Sequence, residues 1–196
     1  CIYCASTSLQ NQTHEDTLRY EEIYRIVQAA ASIGVSKIRL TGGEPLVRLH
    51  LNRLVSMLVS IPGIDEVSMT TNGTLLTKYA AELKAAGLKR VNVSLDSLKP
   101  DKFTRITGSD KLQDVLQGIE AANNIGLVPV KINMVVLKGI NDDEILDFTR
   151  KTITDGWNVR FIEHMPFAGA NMQGKDLVST QEIISIIRQQ FGELQP

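Results

Sequence analysis

Val35-Ser36-Lys37-Ile38-Arg39-Leu40-Thr41-Gly42-Gly43-Glu44-Pro45 is the stretch from which the fold can be read. Its first seven residues read as a strand, and two glycines, a glutamate and a proline end it abruptly. Upstream, Tyr20 to Ile33 reads as an amphipathic helix with Ile23, Ile26, Val27 and Ala30 on one stripe, closed by Gly34. Downstream, a helix runs from about Leu49 to Ser60 and stops at Pro62-Gly63.

The same unit then recurs. Glu66 to Thr70 reads as a strand ending at Asn72-Gly73, Thr77 to Ala86 as a helix, and Arg90 to Leu95 as a strand. Helical patterns cover Pro100–Ile106 and Leu112–Ile125, and an apolar strand covers Val128 to Val136. Asp142 to Thr154 is a helix, Trp157 to Glu163 a strand and Thr180 to Gln190 a last helix. Five strands alternating with helices predict an α/β fold with a parallel sheet. Parallel strands send their C-terminal ends to one side, where ligands of barrels and doubly wound sheets bind. The polar residues to inspect there are Arg39 to Glu44, Thr70 to Asn72, Ser94 and Asp96, Lys131, and Glu163 to Met165.

Composition narrows the function. The 196 residues are 43% hydrophobic and 22% charged, enough for one sizeable core. A formal net charge of -1 gives no support for nucleic-acid binding, while leaving room for a small anion held by local cations. No run approaches the roughly 18–20 apolar residues of a membrane span, and no signal-peptide pattern is present. A soluble cytoplasmic protein is the expectation, or a mitochondrial one in a eukaryote.

Several residues exceed what packing needs. Gly42-Gly43 offers bare backbone to a ligand, with the anionic Glu44 beside it. Arg39 and Lys131 sit in otherwise apolar strands, and a buried cation needs a partner or a ligand cavity. An ion pair between Arg39 and Glu163 is the plain structural alternative. The two cysteines occur as Cys1-Ile2-Tyr3-Cys4, a spacing that fits half a zinc site, a redox dithiol or part of an iron–sulfur site equally well. His14, His50 and His164 are scattered, and only His164 lies at a strand end.

The Cys-x-Tyr-Cys segment, followed by a helix and then a strand ending in Thr41-Gly42-Gly43-Glu44-Pro45, resembles the radical S-adenosylmethionine (SAM) superfamily. Its motif is Cys-x-x-x-Cys-x-x-Cys with an aromatic residue before the last cysteine, which Tyr3 supplies. Within it, the ordered series Ile38–Arg48, Thr70–Gly73, Asn92–Ser97, Val136–Asp142 and Arg160–Glu163 resembles the GTP 3′,8-cyclases of molybdenum cofactor biosynthesis. That family has Met-Pro after the third cysteine, where this chain has Ala5-Ser6.

The resemblance implies a partial (βα) TIM-type barrel with about five βα units visible. Residues 1–196 would be an incomplete core domain, inactive by itself. An arginine, the first strand and the first cysteine would precede residue 1. A C-terminal part with three cysteines for a second [4Fe–4S] cluster would follow Pro196.

It further implies Cys1 and Cys4 as ligands of a [4Fe–4S] cluster whose open iron takes SAM. Tyr3, Gly43, Ser94 and Met165 would contact SAM. Arg39, Thr70, Lys131 and Arg160 would contact GTP. Asp96 reads as a cap of the following helix and stays outside this site.

The implied reaction is a lyase-type cyclisation. An electron from the cluster cleaves SAM, the resulting 5′-deoxyadenosyl radical takes hydrogen from C3′ of GTP, and the sugar radical attacks C8. The product is (8S)-3′,8-cyclo-7,8-dihydroguanosine 5′-triphosphate. The cofactor carries the hard step, and no protein acid or base dominates it. A reductant such as flavodoxin or ferredoxin is implied, and a homodimer is compatible. The rival readings are a radical SAM enzyme acting on a peptide, which the pair Arg39 and Lys131 disfavours, and a zinc-binding α/β module.

Overall fold

A computed structural model describes residues 1–4, 17–165 and 177–194. His14, Ala5-Ser6 and the polar stretch up to Asp16 lie outside the described residues. The elements are α1 (Tyr20–Ser32), β1 (Lys37–Leu40), α2 (Leu51–Val59), β2 (Glu66–Thr71), α3 (Leu76–Ala85), β3 (Arg90–Ser94) and α4 (Pro100–Thr107). They continue with α5 (Leu112–Asn124), β4 (Lys131–Val136), α6 (Ile145–Thr154), β5 (Asn158–Glu163) and α7 (Thr180–Phe191). Strand order is β1-β2-β3-β4-β5. This is the parallel α/β architecture expected from the sequence, a partial TIM-type barrel.

The chain divides into two compact units. One comprises Ser6–Val93 and Asp114–Val130. Here β1 pairs with β2 and β2 with β3, in register Ile38↔Val67 and Thr70↔Asn92. Val67, Met69, Val91 and Val93 bury one set of strand side chains, and Leu54, Val55, Leu58, Leu83, Val115 and Ile119 cover them from the helices. Arg90 and Glu66 form an ion pair of 2.6 Å.

The other unit comprises Cys1–Ala5, Ser94–Gln113 and Lys131–Pro196. Its strands β4 and β5 are paired from Lys131↔Asn158 to Val136↔Glu163. Along β4 the side chains alternate: Ile132, Met134 and Val136 are buried, whereas Lys131, Asn133 and Val135 share the opposite face. Val136, Ile145, Val178, Ile183 and Ile187 form a core cluster. Each such aliphatic side chain contributes about 1.5–3 kcal/mol on burial, which docks α7. Ser179 and Glu182 cap that helix reciprocally.

Two boundaries differ from the sequence reading, each for a local reason. Strand β4 begins at Lys131 rather than Val128, because Pro129 has no amide to donate to a ladder. Lys131 therefore opens its strand and does not stand at a C-terminal end. The helix expected from Asp142 starts as a 3₁₀ turn over Asp142–Glu144 and becomes α-helical at Ile145.

The turn after β2 is fixed by contact with α5. Gly73 has φ +82°, and a Cβ added at Gly118 would stand 2.5 Å from the Gly73 carbonyl oxygen and 2.9 Å from Leu76 Cβ. Both neighbours are main chain or stem atoms that cannot swing aside. Gly118→Ala is expected to destabilise the protein by about 1–3 kcal/mol through overpacking, despite alanine's better helix propensity. A thermal melt equal to or above that of the unaltered protein would refute this packing.

Candidate functional site

The cysteine pair lies on a tight turn in which the Cys4 amide donates to the Cys1 carbonyl at 3.0 Å. Both thiols are free and exposed. The Ile2 amide ties the turn to α4 by donating to the Ile106 carbonyl at 2.8 Å. Among the described residues no group of three or more His, Cys, Asp or Glu side chains is placed to hold a metal ion. The pair is thus a two-thiolate donor set on an accessible turn, suited to a soft metal centre that draws a further ligand from elsewhere.

Tyr3, between the cysteines, donates its hydroxyl to Asp96 Oδ2 at 2.7 Å. The other carboxylate oxygen, Oδ1, accepts the Val135 amide at 2.9 Å. Asp96 is 3% exposed. It does not cap α4, whose N-cap is Lys99, so its reading as a helix cap is corrected. Burial pushes the Asp96 carboxyl above its usual range, while the Tyr3 and Val135 hydrogen bonds oppose that rise. Burial also raises the Tyr3 hydroxyl well above ordinary tyrosine, reinforced by the Asp96 charge, so Tyr3 stays neutral and remains a donor.

Asp96 is itself positioned. Asn141 Nδ2 donates to the Asp96 carbonyl at 2.7 Å and to the Val135 carbonyl at 2.9 Å, and its Oδ1 accepts the Leu137 amide at 2.7 Å. The next residues are gripped by the fully buried Glu144, which accepts from Ser97 Oγ and the Leu98 amide, both at 2.7 Å.

The remaining predicted residues of this unit are Ser94, Lys131, Arg160 and Met165. Ser94 ends β3, half-buried. Lys131 shares a β4 face with Asn133, which pairs in register with Arg160. The Asn133 Oδ1 atom is buried without a hydrogen-bond partner. Arg160 is exposed, and Met165 is 65% exposed rather than part of a core. The Glu163 carboxylate accepts the Thr180 amide, and hydrogen bonding to the Thr180 side chain first, and to that amide second, holds it below the usual glutamate range.

In the other unit the residues after β1 and β2 meet at Glu44. Its carboxylate accepts the Leu46 amide at 3.0 Å, Thr71 Oγ1 at 2.7 Å and the Asn72 amide at 2.7 Å. Three internal donors make it a bracket between two loops, not the open anion expected from its place beside Gly43. Gly42 and Gly43 are exposed, and an added Cβ on either would meet nothing within 4 Å. Their backbone therefore faces open space that a ligand can enter. Arg39 is exposed on β1 and takes part in none of the ion pairs found among the described residues. Thr70 Oγ1 receives only a long 3.5 Å bond from Asn92.

His164 was legible only as a histidine at a strand end. Its ring is 4% exposed and stands edge-on to Tyr3, with centroids 6.2 Å apart. Neither ring nitrogen has a hydrogen-bond partner. Buried polar atoms left without partners cost about 1–3 kcal/mol. Such orphans against the Tyr3 ring fit a site whose occupant supplies the missing partner.

The comparisons with known proteins decide the family. The family model described as Radical SAM superfamily matches residues 1–151. The chain belongs to the radical SAM superfamily. Similar curated proteins include the GTP 3′,8-cyclase of Petrotoga mobilis, 47% identical over 194 residues. That alignment covers 98% of this chain and 60% of the relative. The GTP 3′,8-cyclase of Moorella thermoacetica is 50% identical over 184 residues, 93% of this chain and 57% of the relative. This radical SAM chain thus spans about three fifths of the length of the curated relatives it matches.

Solved structures agree on the fold. Native anSMEcpe with bound AdoMet superposes with a TM-score of 0.71 at 18% identity, covering 97% of this chain and 55% of that one. Methylornithine synthase gives 0.65 at 20% identity, over 89% and 53% of the two chains.

Replacing His164 by phenylalanine keeps the edge contact with Tyr3 and removes both orphaned nitrogens. The ligand-free protein is expected to gain on the order of 1 kcal/mol, or about 2–4 °C in melting temperature. A lower melting temperature for His164→Phe would show that the imidazole is already satisfied.

Proposed function

We propose that this chain is the core of a GTP 3′,8-cyclase, an enzyme that uses SAM and a [4Fe–4S] cluster to cyclise GTP in molybdenum cofactor biosynthesis. The observation that carries the reading is identity of 45–50% to proteins of that name over nearly the whole chain. Alignments that cover 93–100% of this chain extend well beyond the cysteine turn.

Cys1 and Cys4 would hold the cluster, with a third thiolate from outside these 196 residues. When bound, the cluster and SAM together supply the one-electron chemistry that removes hydrogen from C3′ of GTP. A second [4Fe–4S] cluster belongs to the whole protein. The chain's own residues bind and orient. Tyr3 packs at the cysteine turn. The open Gly43 backbone offers carbonyl acceptors to the SAM ammonium group, and Ser94 and Met165 complete the SAM contacts.

Arg39, Lys131 and Arg160 bind the triphosphate, the arginines as planar forks and the lysine as a point charge. Thr70, whose hydroxyl has spare capacity beyond its long bond from Asn92, contacts the nucleotide. The arginine–lysine set favours a phosphorylated substrate over the peptide of the rival reading. We further infer a cytoplasmic enzyme reduced by a flavodoxin- or ferredoxin-like partner, with a homodimer as its assembly. Among the described residues no helix is long and apolar enough to cross a membrane.

The test is anaerobic turnover by the full-length protein with SAM, GTP and a chemical reductant, following the cyclised nucleotide by mass spectrometry. Arg39→Ala is expected to raise KM for GTP by about tenfold, the worth of one charged hydrogen bond, while leaving SAM affinity unchanged. SAM cleavage without any cyclised nucleotide, or an unchanged KM in Arg39→Ala, would refute this reading.

A further inference from the structure

Two of the sequence series, Asn92–Ser97 and Val136–Asp142, supply residues that the proposed chemistry leaves unused. Asp96 and Asn141 touch neither thiol, yet both are almost or fully buried, at 3% and 0% exposure. Buried polar side chains of this kind persist where their hydrogen bonds specify a geometry. Their bonds run in one direction. Asn141 fastens the Asp96 main chain to β4 through three bonds of 2.7–2.9 Å. The Leu95 amide adds a bond of 3.0 Å to the Asn133 carbonyl. The Asp96 side chain then receives Val135 on one oxygen and the Tyr3 hydroxyl on the other.

The cysteine turn has few other restraints. Beyond its internal Cys4-to-Cys1 bond, its described main-chain anchor is the Ile2 amide on Ile106. The Tyr3 hydroxyl is the tie on the far side of that turn, one residue from Cys4 and two from Cys1.

We propose that Asp96, held by Asn141, is a positioning residue that fixes the Cys1–Cys4 turn through Tyr3 and so sets how firmly the turn retains its cluster. This rests on the iron–sulfur reading above. Asp96 touches no ligand and acts through Tyr3, and the chain Asn141–Asp96–Tyr3 behaves as one unit.

The experiment uses the full-length protein after anaerobic reconstitution, and follows loss of visible cluster absorbance in excess chelator. Tyr3→Phe, which removes one oxygen and keeps the ring, is expected to lose its cluster about tenfold faster than the unaltered protein, as is Asp96→Ala. The double variant is expected to be no faster than either single one, since both cut the same tie. Ser97→Ala, which removes the Ser97–Glu144 bond without touching Tyr3, serves as the control for general loosening. It is expected to lower the melting temperature while leaving cluster loss at the original rate. Wild-type retention in Tyr3→Phe and Asp96→Ala, or an equal acceleration in Ser97→Ala, overturns the positioning role alone. An unaltered protein that takes up no cluster overturns the iron–sulfur reading and this inference with it.

Discussion

A carboxylate drawn at least partly out of water takes its donors from the chain, and that requirement shapes both units of this protein. In one, Glu44 gathers the Leu46 amide, the Thr71 hydroxyl and the Asn72 amide, so the loop after β1 and the loop after β2 share one acceptor. In the other, Asp96 gathers the Val135 amide and the Tyr3 hydroxyl. Each acid sits just beyond a strand and recruits a segment remote in sequence. The loop after β1 and the cysteine turn are thus each tied down by one of these two carboxylates.

The fold was legible because its signals are local. The strand closed by Gly42-Gly43-Glu44-Pro45, the stripe of α1 and the recurring glycine stops each depend on neighbours within a turn or two. The cysteine pair was legible as chemistry only through the ordered motifs behind it, since Cys-x-x-Cys alone fits three metal or redox sites. Asp96 was misread for the opposite reason. An aspartate shortly before a helix looks like a cap, and its true partner, Tyr3, lies 93 positions away. Glu44 read as a free anion because nothing near it in sequence shows that Thr71 and Asn72 will fold onto it.

The predicted site residues also separate into kinds that their one-letter codes conceal. Arg39 and Arg160 reach solvent, whereas Tyr3 is committed to a hydrogen bond inside the protein. Lys131 stands at the opening of its strand, on the same face as Asn133, whose amide oxygen has no partner. His164 goes furthest: both its nitrogens are buried and unpaired, a condition a fold keeps only where something else benefits. Stability alone would favour an apolar ring there.

Glycine at position 118 has a reach beyond its own helix. Its bare Cα admits the Gly73 carbonyl, and Gly73 follows Asn72, whose amide Glu44 accepts. Glu44 in turn adjoins Gly43. A side chain on α5 would therefore press through the turn and the carboxylate onto the glycine backbone, without touching any ligand. Variation at that buried position of α5 is then felt in the shape of the Gly42-Gly43 loop as well as in folding.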